Sequence, residues 1–111
     1  MSNASDLSEA IREEILDEIA DLEEYAARGE RPPRCRGYRI RVNRERFEIH
    51  EPKPLREVIL QLAGLVPEKD WTLRLIVRGC KPELIKEGEQ VDLTRPGVEK
   101  FKALPRDQTE G

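Results

Sequence analysis

Between Gly29 and Gly37 the apolar residues of this chain change their spacing from a helical repeat to strict alternation, and that change limits what can fold on either side. Upstream, Leu7, Ile11, Ile15, Ile19, Leu22 and Ala26 succeed one another at intervals of four, four, four, three and four residues, which lines them up on one stripe of a helix. Asp6 and Glu9 have capping-box spacing, acids crowd the early turns where the helix dipole favours them, and Gly29 suits the left-handed residue past a helix end. The spacing predicts a helix over Asp6–Arg28 within an acidic segment 1–30. Its stripe needs a partner, either the chain's own domain or another subunit, and Leu7, Ile11, Ile15, Ile19 and Leu22 are the residues that would carry self-association.

Pro32 and Pro33, set among charged residues, interrupt both periods and mark 31–37 as a linker. Beyond it Tyr38, Ile40 and Val42 alternate with Arg39 and Arg41, Asn43-Arg44-Glu45 makes a turn, and Phe47 and Ile49 resume the apolar face, which predicts a hairpin. Pro52 and Pro54 end it and preset a helix start; Leu55, Val58, Ile59 and Leu62 then form the face expected to pack on the sheet, and Gly64 stops the helix. Trp71, Leu73, Leu75 and Val77 share one face of a strong third strand, with Ile76 on the other between Arg74 and Arg78. Leu84-Ile85 reads as a short strand, Glu87-Gly88-Glu89 as a turn, Gln90–Leu93 as an extended piece and Val98–Leu104 as a last strand with Phe101 in the core. A hairpin, a crossing helix and further strands make an α+β, two-layer domain over 38–104. Residues 105–111 contain no apolar side chain and are expected to form a flexible tail.

With 111 residues, 37% hydrophobic and 39% charged, the chain supports one small core and excludes a large enzyme with a deep active site. No apolar run approaches the roughly 20 residues that span a bilayer and no basic-then-apolar leader opens the sequence, so a soluble, cytoplasmic protein without a membrane partner is expected. The net charge of −3 hides an uneven distribution: residues 1–30 sum to −8 and residues 31–111 to +5. Segments of opposite sign attract, within a chain or between neighbours. Catalytic chemistry has little to stand on. His50 is the only histidine and has no nucleophile or ligand partner at a known spacing, Cys35 and Cys80 fit no metal motif and read as unpaired thiols, and Gly79, Gly88 and Gly97 serve separate turns rather than one phosphate loop. No catalytic residue, metal or cofactor is therefore expected, and the stacking aromatics are too few for a nucleic-acid-binding sheet.

Arg74-Leu75-Ile76-Val77 followed by Gly79, and Leu84-Ile85-Lys86-Glu87-Gly88-Glu89-Gln90-Val91, resemble the third strand of ubiquitin with its turn and the strand and turn that follow it. More closely, Tyr38–Val42, Leu62-Ala63-Gly64, Gln90-Val91-Asp92-Leu93 and Gly97-Val98-Glu99-Lys100-Phe101 resemble the bacterial multiubiquitin class of ubiquitin-like proteins. The resemblance implies a ubiquitin-like β-grasp, a mixed sheet with one packed helix, preceded here by the separate N-terminal helix. It implies a protein modifier, not an enzyme, serving a bacterial ubiquitination-like pathway linked to antiphage defence. Its partners would be a ubiquitin-activating-type enzyme, a conjugating-type enzyme, a metallopeptidase that removes it, and target proteins joined through an isopeptide bond. By the same resemblance Gly111 would be the carboxylate that is adenylated, and Ile76, with Arg74 and Arg78, an enzyme-docking patch. The seven residues after Leu104 reach about 23 Å when extended, enough to thread a narrow channel. Ubiquitin ends in two glycines, whereas Glu110 precedes Gly111 here.

Two other readings remain open. The acidic helix can dock on the basic domain of a neighbouring copy and build a self-assembling scaffold, a head-to-tail contact compatible with conjugation. A sulfur-carrier protein shares the fold and an adenylated terminus, but normally ends in two glycines and lacks such a helix.

Overall fold

A computed structural model of the chain describes residues 16–106. Its elements are β1 (Leu16–Asp21), α1 (Leu22–Arg28), β2 (Cys35–Val42), β3 (Glu45–Ile49), α2 (Arg56–Leu62), a 3-10 turn (Glu68–Asp70), β4 (Trp71–Val77), β5 (Glu83–Ile85) and β6 (Val98–Pro105). From β2 onward the order is the one expected: strand, strand, helix, strand, short strand, strand. One mixed sheet holds all six strands, in the spatial order β3-β2-β6-β4-β5, with β1 also paired to β2.

The register explains where β1 fits. A strand has two edges, and β2 has three partners: β3 over Tyr38–Val42, β1 over Cys35–Arg39, and β6 at Val42 opposite Phe101. Both β1 and β6 overlap β3 along β2, so they must share the edge that β3 leaves, one after the other. Without β1 the first half of that edge would expose backbone N–H and C=O groups in a row. Here lies the main correction to the expected helix over Asp6–Arg28: Leu16–Asp21 is a parallel strand, and only Leu22–Arg28 is helical. Backbone pairing to a vacant sheet edge outweighs the few tenths of a kcal/mol per residue by which helix propensities differ, a weak preference that tertiary context overrides. Asp21 supplies the switch, its carboxylate accepting the Glu23 N–H at 3.1 Å, and Gly29 closes α1 in the left-handed conformation (φ 71°), as its place in the sequence suggested. The part of the expected helix upstream of Leu16 lies outside the described residues. The linker boundary also moves, because Cys35, Arg36 and Gly37 open β2. A side chain at Gly37 would meet Ile19 Cδ1 and His50 Cδ2, each at 2.7 Å, so glycine there permits β1 to lie close against β2.

The β2–β3 turn is tighter than expected, since Glu45 already pairs with Val42. Asn43 takes φ 58°, a conformation asparagine tolerates better than most residues, and its side chain substitutes for a strand: Oδ1 accepts the Ala103 N–H at 2.9 Å while its own N–H reaches Phe101 O at 2.9 Å. On the inner face of the sheet Tyr38, Ile40, Val42, Leu73, Leu75, Phe101 and Ala103 meet Ile59 and Leu60 of α2. The packed face of α2 is rotated from the expected one. Leu55 and Leu62 are 41% and 39% exposed, and Arg56 takes an interior place at 2%. Its guanidinium bonds Glu57 Oε2 at 3.0 Å, Glu68 O at 3.2 Å and Trp71 O at 2.6 Å, which satisfies a buried cation and pins the helix start to the beginning of β4. The expected extended piece around Gln90–Leu93 runs beside the start of α2: Val91 and Leu93 are buried, their N–H groups bond Pro54 O and Pro52 O, and Gln90 pairs with Leu55.

Asp92 in this segment accepts the Thr94 N–H at 3.0 Å and the Thr94 hydroxyl at 2.7 Å. Partial burial pushes its pKa up, but these two bonds and the fields of Lys53 and Arg31 hold it below the usual range. A carboxyl lowered in the folded state adds stability that is complete above its unfolded pKa and is lost as pH falls through the folded one. The denaturation midpoint should therefore hold steady from pH 7 to about 5 and fall below about pH 4. Denaturant titrations of Asp92→Asn should show a shallower acid decline than those of the parent.

Candidate functional site

Alternation along β4 turns Leu73, Leu75 and Val77 into the core and sets Arg74 and Ile76 on the outer face, both half-buried. Antiparallel register adds neighbours, because directly opposite residues point the same way. Leu84 of β5 and Lys102 of β6 flank Arg74 on its two sides, and Lys100 lies opposite Ile76. Leu84 is 50% exposed. The outer face of these three strands thus presents Ile76, Leu84 and Leu104 among Arg74, Lys100 and Lys102, while Glu99 is the bulge residue outside the ladder. Beside Leu84 an open cleft, lined also by Arg56, Thr72, Ile85, Lys86 and Glu87, reaches Arg106 at the end of β6.

The structure brings Ile76 and Arg74 together as the sequence placed them. Arg78 is exposed beyond the strand end, and its guanidinium donates to Ala26 O at 3.4 Å, so it is partly engaged by α1. Leu84, Lys100 and Lys102 were not singled out from sequence. The signal was present in the alternation of Lys100 and Lys102 with Phe101 and Ala103, but only the β4 register shows that they border Ile76. Gly111 lies outside the described residues, as do Leu7, Ile11 and Ile15. Of the remaining residues expected to mediate self-association, Ile19 sits in β1 opposite Gly37, and Leu22 is 2% exposed within its own chain's core, a burial that removes it from any surface.

A second charge pattern lies on the same outer side, toward β2 and β3. Arg41 grips Glu23 with Nε and Nη2 at 2.9 and 3.0 Å, Arg46 approaches the same carboxylate at 3.7 Å, and Arg39 lies 3.8 Å from Asp21. Acids of the N-terminal segment therefore neutralise cations of the sheet within one chain, and the Glu23 contact holds the Arg41 guanidinium pKa up. His50 Nε2 lies 2.8 Å from Glu48 Oε2 in an exposed pair. Cys35 is buried, with its thiol pushed up by that burial and by nearby Glu18, and Cys80 is exposed. Among the described residues no cluster of His, Cys, Asp and Glu is arranged to hold a metal ion, and no helix is long and apolar enough to cross a membrane.

In comparisons with known proteins, residues 38–106 match the family model described as Multiubiquitin. No curated protein and no solved structure matches the chain. The matched span begins inside β2, so β1 and α1 are additions to the region the family model covers.

Proposed function

The chain belongs to the multiubiquitin family, and on that premise we propose that it is a ubiquitin-like protein modifier, activated by adenylation of the Gly111 carboxylate and conjugated to target proteins. The observation that carries the reading is the family match laid over a mixed sheet with a packed helix, which fits a ubiquitin-like β-grasp. In this reading the protein is a substrate and not a catalyst. An activating-type enzyme converts the terminal carboxylate and ATP to an acyl-adenylate with release of pyrophosphate. An enzyme thiol then displaces AMP to form a thioester, a conjugating-type enzyme carries the acyl group to a target amine, and a metallopeptidase hydrolyses the product. The pathway is bacterial and linked to antiphage defence.

Two features of the chain support these roles. Gly111 follows the last strand by six residues and has no side chain to obstruct a narrow channel. Ile76 and Leu84, bordered by Arg74, offer an apolar anchor with a cationic rim of the kind on which interfaces concentrate their binding energy. The cleft at Arg106 connects this anchor to the root of the C-terminal residues.

The test is thioester formation with the cognate activating enzyme and ATP, followed on a non-reducing gel. Removing Gly111 is expected to abolish the thiol-sensitive adduct. A shortened chain that transfers as well as the parent overturns the reading, and a C-terminal thiocarboxylate found by mass spectrometry in place of isopeptide products makes the chain a sulfur carrier.

A further inference from the structure

The cations on the outer face of the sheet fall into two sets. Arg39, Arg41 and Arg46, on β2 and β3, are met by Asp21 and Glu23 at the β1–α1 junction. Arg74, Lys100 and Lys102, on β4 and β6, have no ion pair among the described residues; Arg74 lies opposite Leu84 and Lys100 opposite Ile76. The sequence has a matching surplus. Residues 1–15 carry Asp6, Glu9, Glu13 and Glu14 against Arg12 alone, with Leu7, Ile11 and Ile15 at intervals of four.

We propose that the outer face of β4, β5 and β6 is a docking surface for residues 1–15 of a second copy of this chain. Charge complementarity is the first argument: an acidic segment meets three clustered cations that lack acids of their own. Spacing is the second. Leu7, Ile11 and Ile15 recur at a regular interval of four in the acidic segment and supply apolar partners for Ile76 and Leu84. The direction of the chain selects another copy over its own. The Leu16 N–H is bonded to Arg34 O at the start of β1, and Ala10–Glu18 holds no glycine, proline or asparagine with which to reverse and return along the sheet. The acids that do serve their own chain, Asp21 and Glu23, come after this point. Because donor segment and acceptor face are different surfaces, the contact is heterologous and propagates as a ring or an open chain. It uses the Ile76 and Leu84 face that the modifier reading offers to enzymes, so the two partners would compete for it, but it needs no chemistry at Gly111: light scattering tests assembly, the thioester gel tests activation, and either can fail alone.

Charge reversal on the full chain tests it without disturbing the core. Lys100→Glu with Lys102→Glu reverses the face at two exposed positions, and Glu13→Lys with Glu14→Lys reverses the segment. Light scattering of the parent at low salt and high concentration should give a weight-average mass that rises at least about twofold with concentration, and that returns to the monomer's at about 0.5 M salt, where screening is strong. Each reversed protein alone should remain monomeric at low salt. Mixed in equal amounts they should assemble again, since each segment then finds a face of opposite sign. A parent that stays monomeric at every concentration overturns the proposal. So does assembly unchanged in both reversed proteins, and so does a monomer whose Arg74 and Ile76 amide resonances shift on reversing Glu13 and Glu14, which would place the segment on its own sheet.

Discussion

Replacing Arg56 with alanine is expected to destabilise the domain by about 3–5 kcal/mol, the scale observed when one member of a buried ionic network is removed. The guanidinium is 2% exposed, so solvent does little to screen its contacts. Its loss leaves the carbonyls of Glu68 and Trp71 without their donor and the Glu57 carboxylate without its cation. Glu57 is itself part of the network. Burial pushes its pKa up, but its own N–H, the Gly88 N–H and the Arg56 guanidinium hold it below the ordinary carboxylate range. Losing Arg56 removes one of those supports and weakens the tie between α2 and the turn at Gly88. A thermal melt should drop by more than about 10 °C for a domain of this size. Arg56→Lys should recover only part of the loss, because an ammonium cannot span the same three acceptors in a planar fork. A melt unchanged within a degree or two would mean that the cation is not enclosed as described.

Leu22→Ala is expected to cost about 2–5 kcal/mol, the range for emptying a buried leucine site. This residue decides between two uses of the N-terminal segment. As a self-association residue it would be exposed in an isolated chain, and its truncation would leave dilute-solution stability untouched. Packed under the β1–α1 junction in its own chain, its loss must appear in denaturant titrations at any protein concentration. Glu23→Gln, on the surface of the same helix, should cost about 1 kcal/mol or less, since the pair with Arg41 is partly solvated. The contrast separates what holds the junction, which is apolar burial and strand pairing, from what orients it, which is the arginine contact.

Most of the domain from Tyr38 to Leu104 is legible as sequence because its elements are bounded by local rules. Alternation identifies β2 and β4, Asn43 and the prolines place the turns, and Gly64 ends α2. The helix face was misjudged because a side chain's burial is set by what lies across from it. Leu55 and Leu62 have the right spacing but look outward, while Arg56 goes inside to meet two carbonyls supplied twelve and fifteen residues downstream. The candidate docking face was half legible: Ile76 and Arg74 follow from alternation within one strand, whereas Leu84, Lys100 and Lys102 become its neighbours only through pairing of β4 with β5 and β6.

By itself the sequence determined the strand–strand–helix–strand–strand–strand order, the apolar faces of the strands, the multiubiquitin resemblance and the opposition of charge between the ends of the chain. These depend on residue type, period and turn chemistry, which act over a few positions. Tertiary structure alone decided that Leu16–Asp21 is a strand. Its residues suit a helix equally well, and the outcome rests on an edge of β2 that β6 reaches only at Val42, opposite Phe101, far along the chain from β1. The same long-range geometry decided that Arg39, Arg41 and Arg46 meet Asp21 and Glu23 of their own chain.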